Sequence, residues 1–170
     1  MLVSAAGWLL FPAVPVILTL FILRAGAVIA RGLFQPISER QETTMNKAVH
    51  TDKAPAAIGP YSQAIQAGNT LYISGQIPID PASGAFAADD IAGQTRQCLK
   101  NIGEILSAAG YAYADVVKTT VLLADIADFA PMNEVYGTFF TGTCPARACF
   151  AVKDLPRGAL VEIEAVAVKN

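Results

Sequence analysis

Charge is scarce in this chain. Of its 170 residues only 15% are Asp, Glu, Lys or Arg, against 54% hydrophobic, where a soluble domain carries about a quarter charged. That shortage excludes a disordered chain, which needs low hydrophobicity and high net charge. Twelve basic and fourteen acidic residues leave a net charge of −2, which withholds the electrostatic footprint of a basic nucleic-acid module. Histidine occurs once, as His50, so a multi-histidine metal site cannot be built. Cysteine occurs three times, as Cys98, Cys144 and Cys149. That number is too small and too odd for a disulfide scaffold, and it suits reduced thiols in a reducing cytoplasm. The sequence contains no phosphate loop, metal-ligand cluster or dinucleotide fingerprint.

The charge is also unevenly spread. Residues 1–23 have none, and residues 1–44 carry Arg24, Arg31 and Arg40 against Glu39 and Glu42. Residues 45–170 carry nine basic and twelve acidic residues, net −3, in a length typical of one domain with one core. The run Leu2–Leu23, LVSAAGWLLFPAVPVILTLFIL, reaches the roughly 20 apolar residues that a helix needs to cross a bilayer. Pro12 and Pro15 weaken it, although membrane helices tolerate proline better than soluble ones. No basic residue precedes the run, as a secretory signal would require. The arginines follow it, which by the positive-inside rule puts residues 24–170 on the cytoplasmic side. Two readings fit: a membrane anchor holding a cytoplasmic domain, or Met45 as the true start with residues 1–44 as upstream sequence. The second is preferred, and both leave the globular part facing the cytoplasm. Residues 35–44, QPISERQETT, read as a polar linker.

Within residues 45–170 the periodicities predict a β-β-β-α-β-α-β-β order. Lys47–Thr51 reads as a short edge strand and Ala54–Tyr61 as a Pro/Gly-bounded loop. Ser62–Ala67 and Thr70–Ser74 alternate in polarity around Gly68-Asn69, a tight hairpin signal. Asp89 or Asp90 can cap a helix. Its stripe runs Ile91, Thr95, Cys98, Ile102, Ile105 and Ala109, and Gly110 supplies the left-handed stop. Residues 115–124 are β-branched and read as a buried strand. Asp128 can cap a second helix with Phe129, Met132, Tyr136 and Phe139/Phe140 on its apolar side. Residues 147–153 and 160–168 are strands joined by the turn Asp154–Ala159. The architecture expected is α+β, a two-layer sandwich with a mixed sheet and both helices on one face. Strands 115–124 and 160–168 are apolar on both sides, so the other sheet face needs a cover, and a homo-oligomer supplies it.

Residues able to do chemistry collect near the C-terminus. Arg147 opens a strand otherwise free of charge, and alternation puts it on one face with Cys149 and Ala151. Glu162 and Glu164 share a face of the last strand. Glu164 lies deep in an apolar run, where a carboxylate is costly unless paired or used. One reading is a buried Arg147–Glu164 salt bridge. The other is that Arg147 clamps a ligand carboxylate through its bidentate fork while Glu164 orients or activates a water. Cys149 has no histidine near it in sequence and reads as a small hydrophobe whose backbone can face the same ligand, and Cys98 and Cys144 read as structural. Tyr61, on the rigid Ile58-Gly59-Pro60 loop, either closes a pocket or packs. Asn133 is either a solvent-facing amide or a pocket donor. Gly75 ends a strand where a ligand can approach the backbone closely.

These residues lie in stretches that resemble the RidA/YjgF family of reactive intermediate deaminases. The matching stretches are APAAIGPYSQA (Ala54–Ala64), LYISGQIPIDPASG (Leu71–Gly84), VVKTTVLLADIADFAPMNEVYGTFF (Val116–Phe140) and PARACFAVKDLPRGALVEIEA (Pro145–Ala165). The resemblance covers about residues 46–170, and the usual family member begins near Met45. It implies a chorismate-mutase-like α+β fold and a homotrimer with clefts between subunits. It also implies hydrolysis of 2-imino acids, the enamine/imine products of pyridoxal-phosphate dehydratases, to 2-oxo acids and ammonia, with no cofactor or metal. It places the carboxylate-binding arginine on Arg147 and the water-positioning glutamate on Glu164. The other pocket positions fall on Cys149, Tyr61, Gly75 and Asn133. Other members of the family resemble 2-oxo acid sensors, RNA-acting translation inhibitors or stress chaperones. The net charge of −3 over residues 45–170 argues against nucleic acid as a partner.

Overall fold

A computed structural model describes residues 46–169. The apolar run Leu2–Leu23, the linker 35–44 and the choice of Met45 as a start lie outside the described residues. Among the described residues no helix is long and apolar enough to cross a membrane.

Six strands and two helices follow one another as predicted: β1 (Lys47–Val49), β2 (Ala64–Ala67), β3 (Thr70–Gln76), α1 (Ile91–Ala108), β4 (Val116–Leu123), α2 (Phe129–Gly137), β5 (Ala146–Ala151) and β6 (Val161–Val168). The sheet order is β1-β2-β3-β6-β4-β5, with β4 and β5 parallel and the other neighbours antiparallel. The β2–β3 hairpin turns at Gly68, whose φ of 62° is a conformation glycine adopts without strain. β5 and β6 are joined by the predicted turn but are not neighbours, because β4 lies between them.

Helix α1 begins where Asp90 Oδ1 accepts from the Gly93 N–H at 2.8 Å and ends before Gly110, at φ 78°. Its buried stripe of Ile91, Thr95, Cys98, Leu99, Ile102, Ile105 and Leu106 matches the period of an amphipathic helix. Helix α2 departs from expectation at its start. Asp128 makes no side-chain cap. Asp125 instead accepts from the Ala127 N–H at 2.9 Å and opens a 3-10 turn that leads into the helix. The apolar stripe of α2 is also narrower than predicted: Met132, Val135 and Tyr136 are buried, while Phe129 is 40% exposed.

Both helices cover one sheet face. On that side Leu71, Ile73, Thr119, Val121, Leu123, Val161, Ile163, Ala165 and Ala167 are buried. The opposite face carries Tyr72 and Phe150, which are 53% and 48% exposed, with Leu122, Val166 and Val168 partly covered. Alternation on β4 and β6 therefore serves two surfaces, one closed by helices and one open in the single chain.

Candidate active site

The residues singled out by sequence form two groups on opposite sides of the sheet. The first is built on β5 and α2. Arg147 pairs in register with Thr119 of β4, which is 1% exposed under the helices, so Arg147 rises on the helix side at the sheet edge. There Phe129, Asn133 and Tyr136, spaced four and three residues apart on α2, form one helical stripe. Arg147 Nη2 donates to Asn133 Oδ1 at 2.7 Å. Its guanidinium carbon sits 4.6 Å from the centre of the Tyr136 ring and 5.6 Å from that of Phe129. Among the described residues no carboxylate pairs with it, and the one contact between a basic side chain and a carboxylate is His50 Nε2 with Asp52 Oδ1, both exposed. Cys149 follows on the same face, partly exposed. Burial pushes its thiol up from the ordinary value and the charge of Arg147 opposes this. The sulfur therefore remains a thiol at neutral pH, which argues against a nucleophile.

The second group lies where β3 leaves its pairing with β6. The register shifts between Ile73 and Gln76, and this bulge holds Gly75. Bulges re-aim backbone beside functional sites. Tyr61, Gly75, Gln76, Ile77 and Ile58 line one shallow cleft. The Ala54–Tyr61 loop is tied down by Gln63, 3% exposed. Its Nε2 donates to the carbonyls of Thr51, Ala54 and Pro55 at 2.8–3.1 Å, and its Oε1 accepts from the Thr51 N–H at 2.7 Å. Tyr61 stays half exposed.

The carboxylate brought to Gly75 is Glu162. A Cβ built on Gly75 would overlap Glu162 Oε1 and crowd the rest of its carboxyl group. Burial pushes the Glu162 carboxyl up from its usual range, and the neighbouring Glu164 charge adds to this. Glu164 itself is exposed, paired in register with Thr120 on the open face. The buried Arg147–Glu164 salt bridge considered from sequence does not form. β4 separates the two strands, and the side chains leave the sheet on opposite sides. Cys98 is fully buried, as expected of a structural thiol, whereas Cys144 is exposed. Among the described residues no cluster of three or more His, Cys, Asp or Glu side chains is placed to hold a metal ion.

The close approach at Gly75 yields a prediction. In Gly75→Ala the new methyl group first meets the flexible Glu162 side chain, so the fold is expected to persist while the carboxyl group is pushed away from Gly75. Catalytic efficiency should fall at least about tenfold, since small misplacements of a positioned group carry such losses. Circular dichroism and kinetics on the same sample check it.

Residues 51–169 match the family model described as Endoribonuclease L-PSP. The chain belongs to the L-PSP (YjgF/RidA) family. A Mus musculus relative named 2-iminobutanoate/2-iminopropanoate deaminase is 56% identical over 126 residues, covering 74% of this chain and 93% of that protein. Reactive Intermediate Deaminase A, chloroplastic, of Arabidopsis thaliana is 46% identical over 134 residues, covering 79% and 72%. Among solved structures, the YjgF gene product of E. coli superposes with a TM-score of 0.71 at 46% identity, covering 73% of this chain and 99% of that one. E. coli TdcF with bound serine gives 0.71 at 43%, with the same coverage. The L-PSP/YjgF fold and the α+β sandwich read from sequence therefore coincide.

Sequence reasoning missed the Gln63 clamp, the aromatic faces around Arg147 and the different surroundings of Glu162 and Glu164. The last two could not be separated by alternation, because residues two apart on a strand share a face. The distinguishing feature is the bulge across from them, which has no sequence period.

Proposed function

We propose that this L-PSP chain hydrolyses 2-imino acids to 2-oxo acids and ammonia at a site completed between copies of itself. The observation that carries this reading is Arg147: a partly exposed guanidinium with no carboxylate partner among the described residues, seated against two rings and an amide. A planar fork held this way suits bidentate binding of a substrate carboxylate. The names of the relatives supply the class of substrate.

The carboxylate anchors C2 of the imine. Water attacks C2, and the π electrons of the C=N bond move to nitrogen. Glu162 takes the proton from the attacking water and delivers it to that nitrogen. Glu162 then takes the hydroxyl proton of the tetrahedral carbinolamine and passes it to the amine, the C–N bond breaks as C=O forms, and the 2-oxo acid and ammonia leave. A carboxyl group lifted above its usual range by burial serves this exchange better than a fully solvated one. Glu164 tunes it through charge rather than by contact. Tyr61 and the Gly75 backbone close the cleft wall. The step uses no covalent intermediate with the protein.

Arg147 and Glu162 leave the sheet on opposite faces, so a protomer offers each to a different neighbour. The open face with Tyr72 and Phe150 is the surface that neighbours cover, and a closed ring such as a homotrimer repeats one such contact. The compartment that fits this chemistry is the cytoplasm. The RNA reading attached to the family description is less favoured: residues 45–170 are net negative, and His50 pairs with Asp52 rather than with any group of this site.

The test is a coupled assay in which a threonine dehydratase generates 2-iminobutanoate in a scavenging buffer. Faster 2-oxobutanoate and ammonia release on adding the protein supports the reading. Binding of 2-oxobutanoate without any rate effect would replace it with a sensor.

A further inference from the structure

The arrangement under Arg147 extends one layer deeper than the groups that touch it. Tyr136 is 5% exposed and Thr119 is 1% exposed, and their hydroxyls share a hydrogen bond of 2.7 Å. Thr119 is also the ladder partner of Arg147. The Tyr136 ring packs on Phe140 at 4.6 Å between centres and lies under the guanidinium at the same separation. Phe129 and Asn133 complete the seat.

We infer that Tyr136, held in place by Thr119, is a positioning residue that sets the plane of the Arg147 guanidinium and so the placement of the substrate carboxylate. The inference rests on reading Arg147 as the carboxylate clamp. Stacking uses the faces of the guanidinium and leaves N–H edges free, as bidentate recognition requires. One donor is already committed to Asn133, so rotation is restricted about both axes. The Thr119–Tyr136 bond ties the platform to β4, the strand beside the arginine. A phenol on an outer helix turn would drift with its helix, and the bond across to the sheet prevents that.

The experiment separates positioning from stability. Thr119→Val and Tyr136→Phe each strand a buried hydroxyl without its partner and lower Tm, whereas the double variant removes both hydroxyls and regains much of it. Wild type, both single variants, the double variant and Tyr136→Leu are compared by Tm, by KM and kcat for imine hydrolysis, and by calorimetric binding of 2-oxobutanoate.

A positioning role predicts that the double variant, despite its recovered Tm, keeps a KM and a 2-oxobutanoate Kd raised about three- to fivefold, with kcat changed less. Tyr136→Leu, which removes the ring face, should raise both about tenfold or more. A double variant with wild-type KM and Kd would overturn the inference and leave a purely structural pair. If wild type bound 2-oxobutanoate without hydrolysing the imine, while the double variant bound it more weakly, the positioning role would stand and the hydrolase reading would fall.

Discussion

Arg147→Ala is expected to lower kcat/KM for 2-iminobutanoate at least about a hundredfold while the protein stays folded. Truncating one partner of a close charge-assisted pair costs about 2–5 kcal/mol in binding or transition-state energy, and each 1.4 kcal/mol is tenfold. Stability should change little, because the side chain is partly exposed on an edge strand and fills no sealed cavity. It leaves Asn133, itself exposed, free to bond to water. Arg147→Lys should recover little of the loss, since an ammonium is a point charge that can neither stack flat on the Tyr136 ring nor present two parallel donors. Steady-state kinetics and thermal melts on the same preparations check this. Full activity in Arg147→Ala would remove the anchor on which the proposed reaction depends.

Glu162→Gln is expected to lower kcat by about two to four orders of magnitude, the usual worth of a positioned acid–base group. KM should move less, because the substrate carboxylate is held elsewhere. Glu164→Gln should retain kcat within about threefold at its optimum, as expected of a group acting through charge alone. The pH dependence distinguishes the two further. The Glu162 carboxyl is raised first by burial and then by Glu164. Removing the Glu164 charge lowers it, and the acid limb of the rate profile should move to lower pH in Glu164→Gln. Stability follows the same linkage. A carboxyl whose folded value lies above its unfolded value contributes stability fully below the unfolded value, and this is lost as pH rises through the folded one. Replacing it with glutamine removes that loss. Glu162→Gln should therefore melt at or above wild type near neutrality, and the gain should vanish below the ordinary carboxylate range. A kcat loss in Glu164→Gln matching that of Glu162→Gln would return the water-handling role to Glu164.

Much of the fold was legible because local signals agreed with one another. The cap at Asp90, the stripe from Ile91 to Leu106 and the stop at Gly110 all describe one helix. Double-sided β4 and β6 announced an open sheet face. What stayed hidden depends on neighbours in space. β6 enters between β3 and β4, an order that no adjacent pair of sequence segments reveals; it leaves β4 between β5 and β6, and this together with the opposite faces of the two side chains separates Arg147 from Glu164. Phe129 read as core because its spacing fits the stripe of α2. It lies exposed over a guanidinium because Asp125 opens the turn ahead of the helix and carries that end of the stripe to the sheet edge. The candidates singled out from sequence were Arg147, Cys149 and Asn133, which gather in one group, Tyr61 and Gly75, which gather in the other, and Glu164, which lies exposed beside Glu162. Their division between two faces was not legible there, and that division makes a second copy of the chain part of the proposed chemistry.

The most direct measurement is subunit complementation. Arg147→Ala and Glu162→Gln proteins, each nearly inactive, are unfolded together, refolded as a mixture and assayed. If each site takes Arg147 from one protomer and Glu162 from its neighbour, random mixing in equal amounts gives about a quarter of the interfaces both native groups, and activity should recover to about a quarter of wild type. No recovery above the sum of the two parents, with mixed oligomers verified by mass, would contradict a site shared between subunits.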